Sequence, residues 1–201
     1  MEYRVLSFSD EECFIEISKN TFRTRIELNW SPDEDFTGIV VGCNYNFKGH
    51  PVGFLKDNGL IVSQIDGRRN RGIFEISDTN TIIQAGPSLV IDKEPQKDFK
   101  KEGFATHYIL SGLHSHLGKK KSGNYVVGFT KKMTFNQMIK KYQELNAEDA
   151  IKLPGLKSCS FLFKTKARTY QQGVFPIPVA LIFESRADEF GNIFSDVSES
   201  I

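Results

Sequence analysis

Apolar and polar residues alternate in short runs along most of the chain, and turn signals interrupt them at close intervals, which is the pattern of a sheet protein. Residues 3–8, 12–17 and 21–30 read as three successive strands. In the third, Phe22, Thr24, Ile26, Leu28 and Trp30 share one face, while Arg23, Arg25, Glu27 and Asn29 share the other. Residues 31–35 close this meander, and the glycine-bounded apolar run 38–43 predicts a strand buried on both faces. Residues 53–55 and 60–64 around Asp57-Asn58-Gly59 predict a hairpin. Further short strands are expected at 73–76, 81–84, 89–91, 124–129, 151–153, 159–163 and 179–183. One helix stands out: Thr134 and Gln137 form a capping box, behind which Phe135, Met138, Ile139, Tyr142 and Leu145 keep helical spacing. The expected fold class is α+β, a mixed and mostly antiparallel sheet with one dominant amphipathic helix. Residues 1–37 would form a β-meander packed on a main domain at 38–186, followed by a flexible acidic tail at 187–201. The charged stretch 92–104 is expected as a surface loop.

The 201 residues suffice for one domain that folds without disulfide or metal staples. Charged residues make up 25% and hydrophobic ones 39%, which excludes a wholly disordered chain. Lys and Arg number 26 against 25 Asp and Glu, so no basic field points to a nucleic acid polymer, and none is expected as partner. No apolar run approaches the roughly 20 residues that span a bilayer, and the first residues lack the pattern of a signal peptide. Cys13, Cys43 and Cys159 are widely spaced and odd in number, which argues against a disulfide framework or a zinc site. These features together read as a soluble, reduced, cytoplasmic protein with no membrane partner. Exposed strand edges leave self-association into a homo-oligomer open.

Several segments, in order, resemble the phosphodiester glycosidase family, the family of the lysosomal uncovering enzyme. That family's core opens with an Asn-Gly-Gly-Phe-Phe-like loop and a Pro-x-Gly hairpin, and here Asn44-Tyr45-Asn46-Phe47 precedes Pro51-Val52-Gly53. Its Gln-Ala-Gly-Pro-x-Leu-Val segment is matched by Gln84-Ala85-Gly86-Pro87-Ser88-Leu89-Val90. Its Arg-Thr-Ala-Ile-Gly strand has a counterpart in Asn124-Tyr125-Val126-Val127-Gly128. Its helix and Leu-Asp-Gly-Gly-Gly-Ser turn are matched by the Thr134 helix and by Leu153-Pro154-Gly155-Leu156-Lys157-Ser158. The likeness covers about residues 39–184. It also shows departures: Pro154 stands where the family has Asp, and Asn124 where it has Arg. Hydrolysis at an anomeric centre needs a proton donor or nucleophile, and a bidentate Arg is a natural phosphate clamp. The resemblance therefore implies a retained pocket with lost or altered hydrolytic chemistry, a pseudoenzyme of hydrolase fold.

On that resemblance the rim would be built from the Asn44 loop, the Gly86-Pro87 segment, the strand near Asn124 and the Gly155 turn. Asn44 and Asn46 could bond sugar hydroxyls or only stabilise their own turn. Gln84 is either a ligand contact or a satisfied core amide, and Gly155 lets a ligand approach backbone. Lys157 and Ser158 on the remodelled turn, with Arg71 and Lys119 in two basic turns, are candidates for a phosphate. His114 and His116 share a face if their segment is extended, which suits a proton-transfer pair or an anion contact; no nearby ligand completes a metal site. No cofactor is expected. The expected function is binding, and sequestering as a sponge of phage or mobile-element type, of a small phosphorylated sugar or nucleotide-type ligand. An active hydrolase using His114 or His116, and a protein-interaction module on the same fold, are the alternatives.

Overall fold

A computed structural model describes residues 1–46, 48–64, 72–97, 99, 112–155, 159–173 and 175–186. The chain enters through β1 (Tyr3–Phe8), β2 (Glu12–Ile17), β3 (Phe22–Trp30) and β4 (Gly38–Gly42). The hairpin β5 (Leu55–Asp57) and β6 (Leu60–Ser63) turns at Asn58-Gly59, where both residues take positive φ. Next come β7 (Gly72–Ile76), β8 (Thr81–Ala85), β9 (Ser88–Ile91) and the short β10 (Glu94–Pro95). The second half runs β11 (His114–Lys120), β12 (Tyr125–Thr130), α1 (Phe135–Glu144), β13 (Ala147–Gly155), β14 (Ser160–Lys164), β15 (Thr169–Gly173) and β16 (Ile177–Ser185).

These strands form a seven-stranded sheet in the order β1-β2-β12-β11-β13-β9-β10 and a five-stranded sheet β15-β14-β4-β16-β3. A four-stranded sheet β6-β5-β8-β7 joins them. All pairings are antiparallel. The N-terminal strands divide between the two large sheets: β2 pairs with β12, and β3 pairs along nearly its whole length with β16.

Burial explains the layering. One face of the large sheet, with Cys13, Ile15, Ile17, Leu117, Val127, Phe129 and Ile151, packs on Ile39, Val41, Phe161, Phe163 and Leu181 of the second sheet. The opposite face presents Phe14, Val126 and Ala150 to Phe135, Met138, Ile139 and Tyr142 of α1. The helix forms as the sequence predicts. Thr134 Oγ1 accepts from Gln137 N, Gln137 Oε1 accepts from Thr134 N, and its buried residues are those of the apolar stripe.

Three expectations need correction. The fold is mainly β rather than α+β, because α1, of ten residues, is the one α-helix among the described residues. Residues 114–120, read only as a histidine-bearing segment and a basic turn, are instead a strand near the middle of the large sheet, buried from His114 to Gly118. The charged stretch 92–104 is not wholly a surface loop: β10 pairs with β9, and Phe99 is buried edge-on against Phe135. The tail 187–201 lies outside the described residues.

Candidate functional site

The site is built on β11 and β13. Alternation along β11 sends His114 and His116 toward α1, while Ser115 and Leu117 point into the inter-sheet core. His114 packs edge-on against Phe135, and His116 edge-on against Tyr142. On β13, His114 lies opposite Gly155 and His116 opposite Lys152, with an irregularity in register between them. Lys152 is only 6% exposed. Its Nζ lies 5.9 Å from the centroid of the Phe135 ring and donates to its neighbour Leu153 O at 2.8 Å. A Cβ on Gly155 would stand 2.5 Å from His114 Nδ1, 2.8 Å from Leu113 O and 3.0 Å from Lys152 Nζ. Glycine at 155 is thus what lets the imidazole and the ammonium converge on this strand end.

His116 is fully buried and shares a 2.7 Å hydrogen bond between its Nδ1 and the Tyr142 hydroxyl. Burial, then the electrostatic influence of His114 and Lys152, pushes its pKa well below the ordinary histidine value, while burial lifts Tyr142 well above the ordinary tyrosine value. The pair is therefore neutral at physiological pH. Two glycines seat it: a Cβ on Gly128 would overlap the His116 ring, and one on Gly118 would overlap the Tyr142 ring.

A second limb reaches the same strand end. Pro87 follows a cis peptide bond, and its carbonyl accepts from Lys152 N at 2.9 Å. Three residues earlier, Gln84 organises the loop ahead of β5. Its Oε1 accepts from Phe54 N at 2.7 Å, and its carbonyl accepts from Asn44 Nδ2 at 3.2 Å. Gly53, at φ +90°, packs so closely on Gln84 that a Cβ would lie 3.2 Å from both of these oxygens. Asn44, Gln84, Pro87, Lys152, Gly155 and His114 thereby form one connected set. Asn46 turns the other way: its Oδ1 accepts from Lys48 N at 2.8 Å and His50 N at 3.2 Å, the turn-stabilising arrangement.

Asn124 and Lys119 lie at the opposite end of the β11–β12 pair. Six residues separate His114 from Lys120 on β11, about 20 Å at the usual strand rise of ~3.3 Å per residue. There Asn124 Nδ2 donates to Glu16 Oε1 at 2.8 Å, Lys120 Nζ approaches the same carboxylate at 3.1 Å, and Lys119 Nζ donates to Ser77 Oγ at 3.1 Å. Burial alone would raise the Glu16 pKa; the hydrogen bonds from Asn124 and Lys120 outweigh it and hold the carboxyl below its ordinary value. Asn124 thus serves an ion-pair network remote from Gly155. At the Gly155 end the β11 residue paired opposite Gly155 is His114. Arg71, Lys157 and Ser158 lie outside the described residues.

Pro154 lies within β13, and its carbonyl accepts from Ser115 Oγ at 3.3 Å. Cys159 is buried, and burial pushes its thiol up to about 11, so it carries no thiolate chemistry near neutral pH. Among the described residues, no group of three or more His, Cys, Asp or Glu could hold a metal ion. An open depression of about 540 Å³ lined by Arg23, Thr24, Arg25, Asn58 and Glu184 lies elsewhere, on β3 and β16, where both arginines already pair with Glu184. Sequence reasoning missed Lys152 and the His116–Tyr142 bond. Lysine inside the run Ala150-Ile151-Lys152-Leu153 was the available sign.

A mainly antiparallel double sheet with a chain of polar contacts ending at the Pro154-Gly155 strand end defines a class of fold, and the comparisons specify it. Residues 37–184 match the phosphodiester glycosidase family, and the chain belongs to that family. Among solved structures it is similar to the zebrafish N-acetylglucosamine-1-phosphodiester alpha-N-acetylglucosaminidase catalytic domain auto-inhibited by its pro-peptide. That likeness has 13% identity, covers 92% of this chain and 83% of that one, and has a TM-score of 0.65. A hypothetical protein from Synechocystis is similar at 10% identity and TM-score 0.65, over 92% of this chain and 61% of that one. At such identities the likeness concerns the fold. A search of curated proteins gives no match. Among the described residues no helix is long and apolar enough to cross a membrane.

Proposed function

We propose that this family member binds a small phosphorylated sugar or nucleotide-type ligand at the Gly155 end of β11 and β13 and holds it without cleaving it. The observation that carries this reading is Pro154. By the sequence resemblance it stands where the family has its turn carboxylate, one residue before Gly155, and its carbonyl is already engaged by Ser115. A proline side chain can neither donate a proton nor attack an anomeric carbon. Around it, segments that the resemblance assigns to the rim are tied together, Asn44 to Gln84 and Pro87 to Lys152. Such a rim without a carboxylate at 154 suits sequestration.

A second reading, an active hydrolase with His114 as acid–base group, is supported by the approach of His114 Nδ1 to Gly155. His116 does not support it, because its ring is fully buried and bonded to Tyr142. Native mass spectrometry of the protein purified from its own host tests the two. The expected result is an intact phosphorylated ligand, released on denaturation and stable for hours in the protein's presence. Empty protein that splits uridine diphosphate N-acetylglucosamine, with the activity lost in His114→Ala, would replace binding with hydrolysis.

A further inference from the structure

We infer that the outer edge of β6 is a self-association surface: two copies of this chain pair β6 against β6, antiparallel, about a two-fold axis at Ile61. The inference stands apart from the ligand reading, in which β6 takes no part.

The first reason is how the other sheet edges are closed. In the large sheet β10 is Glu94-Pro95, a charge and a residue without an N–H, and at the opposite edge Phe8 of β1 packs edge-on against Tyr170 of β15. Along the edge of β3, Asp57 Oδ2 accepts from Ile26 N and Asn58 Nδ2 donates to Thr24 O. β6, at the edge of the four-stranded sheet, has no such device: Leu60-Ile61-Val62-Ser63 carries neither charge nor proline. Leu60 is 75% exposed, Ile61 57% and Val62 41%. Single apolar residues on a surface are ordinary, but three in succession on a sheet edge are a template for another strand.

The turn decides which main-chain groups this edge offers. Asp57 and Leu60 close a two-residue turn, so their amide and carbonyl groups face one another and those of Ile61 point away from β5. Gly59 N is already bound to Asn80 O at 3.1 Å, and a register irregularity between Leu55 and Lys56 interrupts the ladder beyond Ile61. A foreign strand would thus gain two main-chain bonds, both from one residue. A second copy gains the same two, Ile61 N–H to Ile61 C=O in each direction, and adds its own Leu60, Ile61 and Val62 to the contact. Charge permits this pairing. Lys56, opposite Ile61 on β5, already donates to Asn80 Oδ1 at 2.8 Å. Three strand spacings of ~4.8 Å would keep it roughly 14 Å from its copy, beyond the ~8 Å screening length of physiological salt. The chain's net charge is only +1, so whole copies do not repel. A two-fold axis closes the assembly at two copies, whereas pairing β6 with the opposite edge, β7, would repeat without end. The strand has four residues, too few for the ~800 Å² per partner of a standard interface, so the dimer is reversible with a dissociation constant on the order of 100 µM.

Sedimentation equilibrium of the full chain from micromolar to millimolar concentration tests this. The wild type is expected to pass reversibly from monomer to dimer, and Ile61→Lys, which sets like charges face to face at the axis, should weaken the dimer about tenfold or more. Opposed α-carbons in a hydrogen-bonded antiparallel pair lie ~5.5 Å apart, within disulfide range, so Ile61→Cys should cross-link on mild oxidation. Cys13, Cys43 and Cys159 are buried and do not compete. Ile73→Cys, at a position 59% exposed on the β7 edge of the same sheet, should stay uncross-linked. A wild type that remains monomeric at millimolar concentration would overturn the second copy as occupant and leave the edge to a strand of another protein. An Ile61→Lys chain that dimerises as the wild type does, or an Ile73→Cys chain that cross-links as readily as Ile61→Cys, would overturn the assignment to β6. The wild-type measurement needs no variant, so a variant that fails to fold leaves the test standing.

Discussion

Gly128 is the position where one methyl group should do the most damage. It sits on β12 directly opposite His116 of β11 and Phe14 of β2, so two aromatic side chains close over a residue with no side chain of its own. Its φ is not in the left-handed region, and alanine therefore meets no backbone strain there. The conflict is one of space: a Cβ would overlap His116 Cε1 and Nδ1 and lie 3.0 Å from Phe14 Cδ1. His116 has nowhere to go, since Tyr142 is bonded to its Nδ1 and the seam is fully buried. Overpacking a tight core costs about 1–3 kcal/mol. Breaking the buried histidine–tyrosine hydrogen bond adds about 1–3 kcal/mol. Replacing glycine in a strand returns roughly 0.5–1 kcal/mol. Gly128→Ala should therefore lose about 1–5 kcal/mol, with a central value of ~3 kcal/mol that lowers the midpoint of thermal unfolding by roughly 10 °C for a chain of this size. A double-mutant cycle isolates the cause. In a His116→Ala background the space is open, and Gly128→Ala should become neutral or slightly stabilising, a coupling of at least ~2 kcal/mol. Urea unfolding of the four proteins reads it. Gly128→Ala within about 1 kcal/mol of wild type, or equally costly in both backgrounds, would refute the steric account.

His116 also sets a pH dependence. Its folded pKa lies well below its unfolded one, so the unfolded chain binds the extra proton first as pH falls past about 6.5, and stability drops by up to ~1.4 kcal/mol per pH unit until the folded pKa is reached. Urea unfolding from pH 8 to pH 4.5 should show that slope, and His116→Leu should flatten it. Thr134→Ala removes the hydroxyl of the capping box and should cost about 1 kcal/mol in the same assay, through loosened docking of Phe135 and Met138. Pro154→Asp places a carboxylate one residue before Gly155; ³¹P spectra of uridine diphosphate N-acetylglucosamine should show slow cleavage absent from the wild type, and no cleavage would mean that a carboxylate at 154 does not suffice for hydrolysis.

Most strands were legible because their faces differ: in β3, Phe22, Thr24 and Trp30 are buried while Arg23 and Asn29 are exposed, although Leu28, expected on the buried face, is exposed too. The helix was legible from its cap and stripe. β11 was not, because His114, Ser115 and His116 are polar by type yet buried by position, and a pattern read from hydrophobicity assigns such residues to the surface. The same fact hid the site. Lys152 is a charged residue inside a short apolar run, and its Nζ lies 5.9 Å from the Phe135 ring of the helix just before its strand.

The distance of Asn124 from Gly155 has a related cause. Motif spacing assigns a residue to a strand, but only the pairing order of the sheet says which strands are neighbours. β12 is separated from β13 by β11, so no side chain on β12 reaches the Gly155 end as directly as one on β11. Asn124 is further removed along the strand, holding Glu16 against Lys120. The buried polar groups at the helix-facing surface of β11 and β13 then divide by function. The bond between His116 Nδ1 and the Tyr142 hydroxyl fastens α1 to the sheet, with Gly118 and Gly128 making the room. His114 and Lys152, one step nearer the strand end, pack instead against Gly155, whose missing side chain leaves them room.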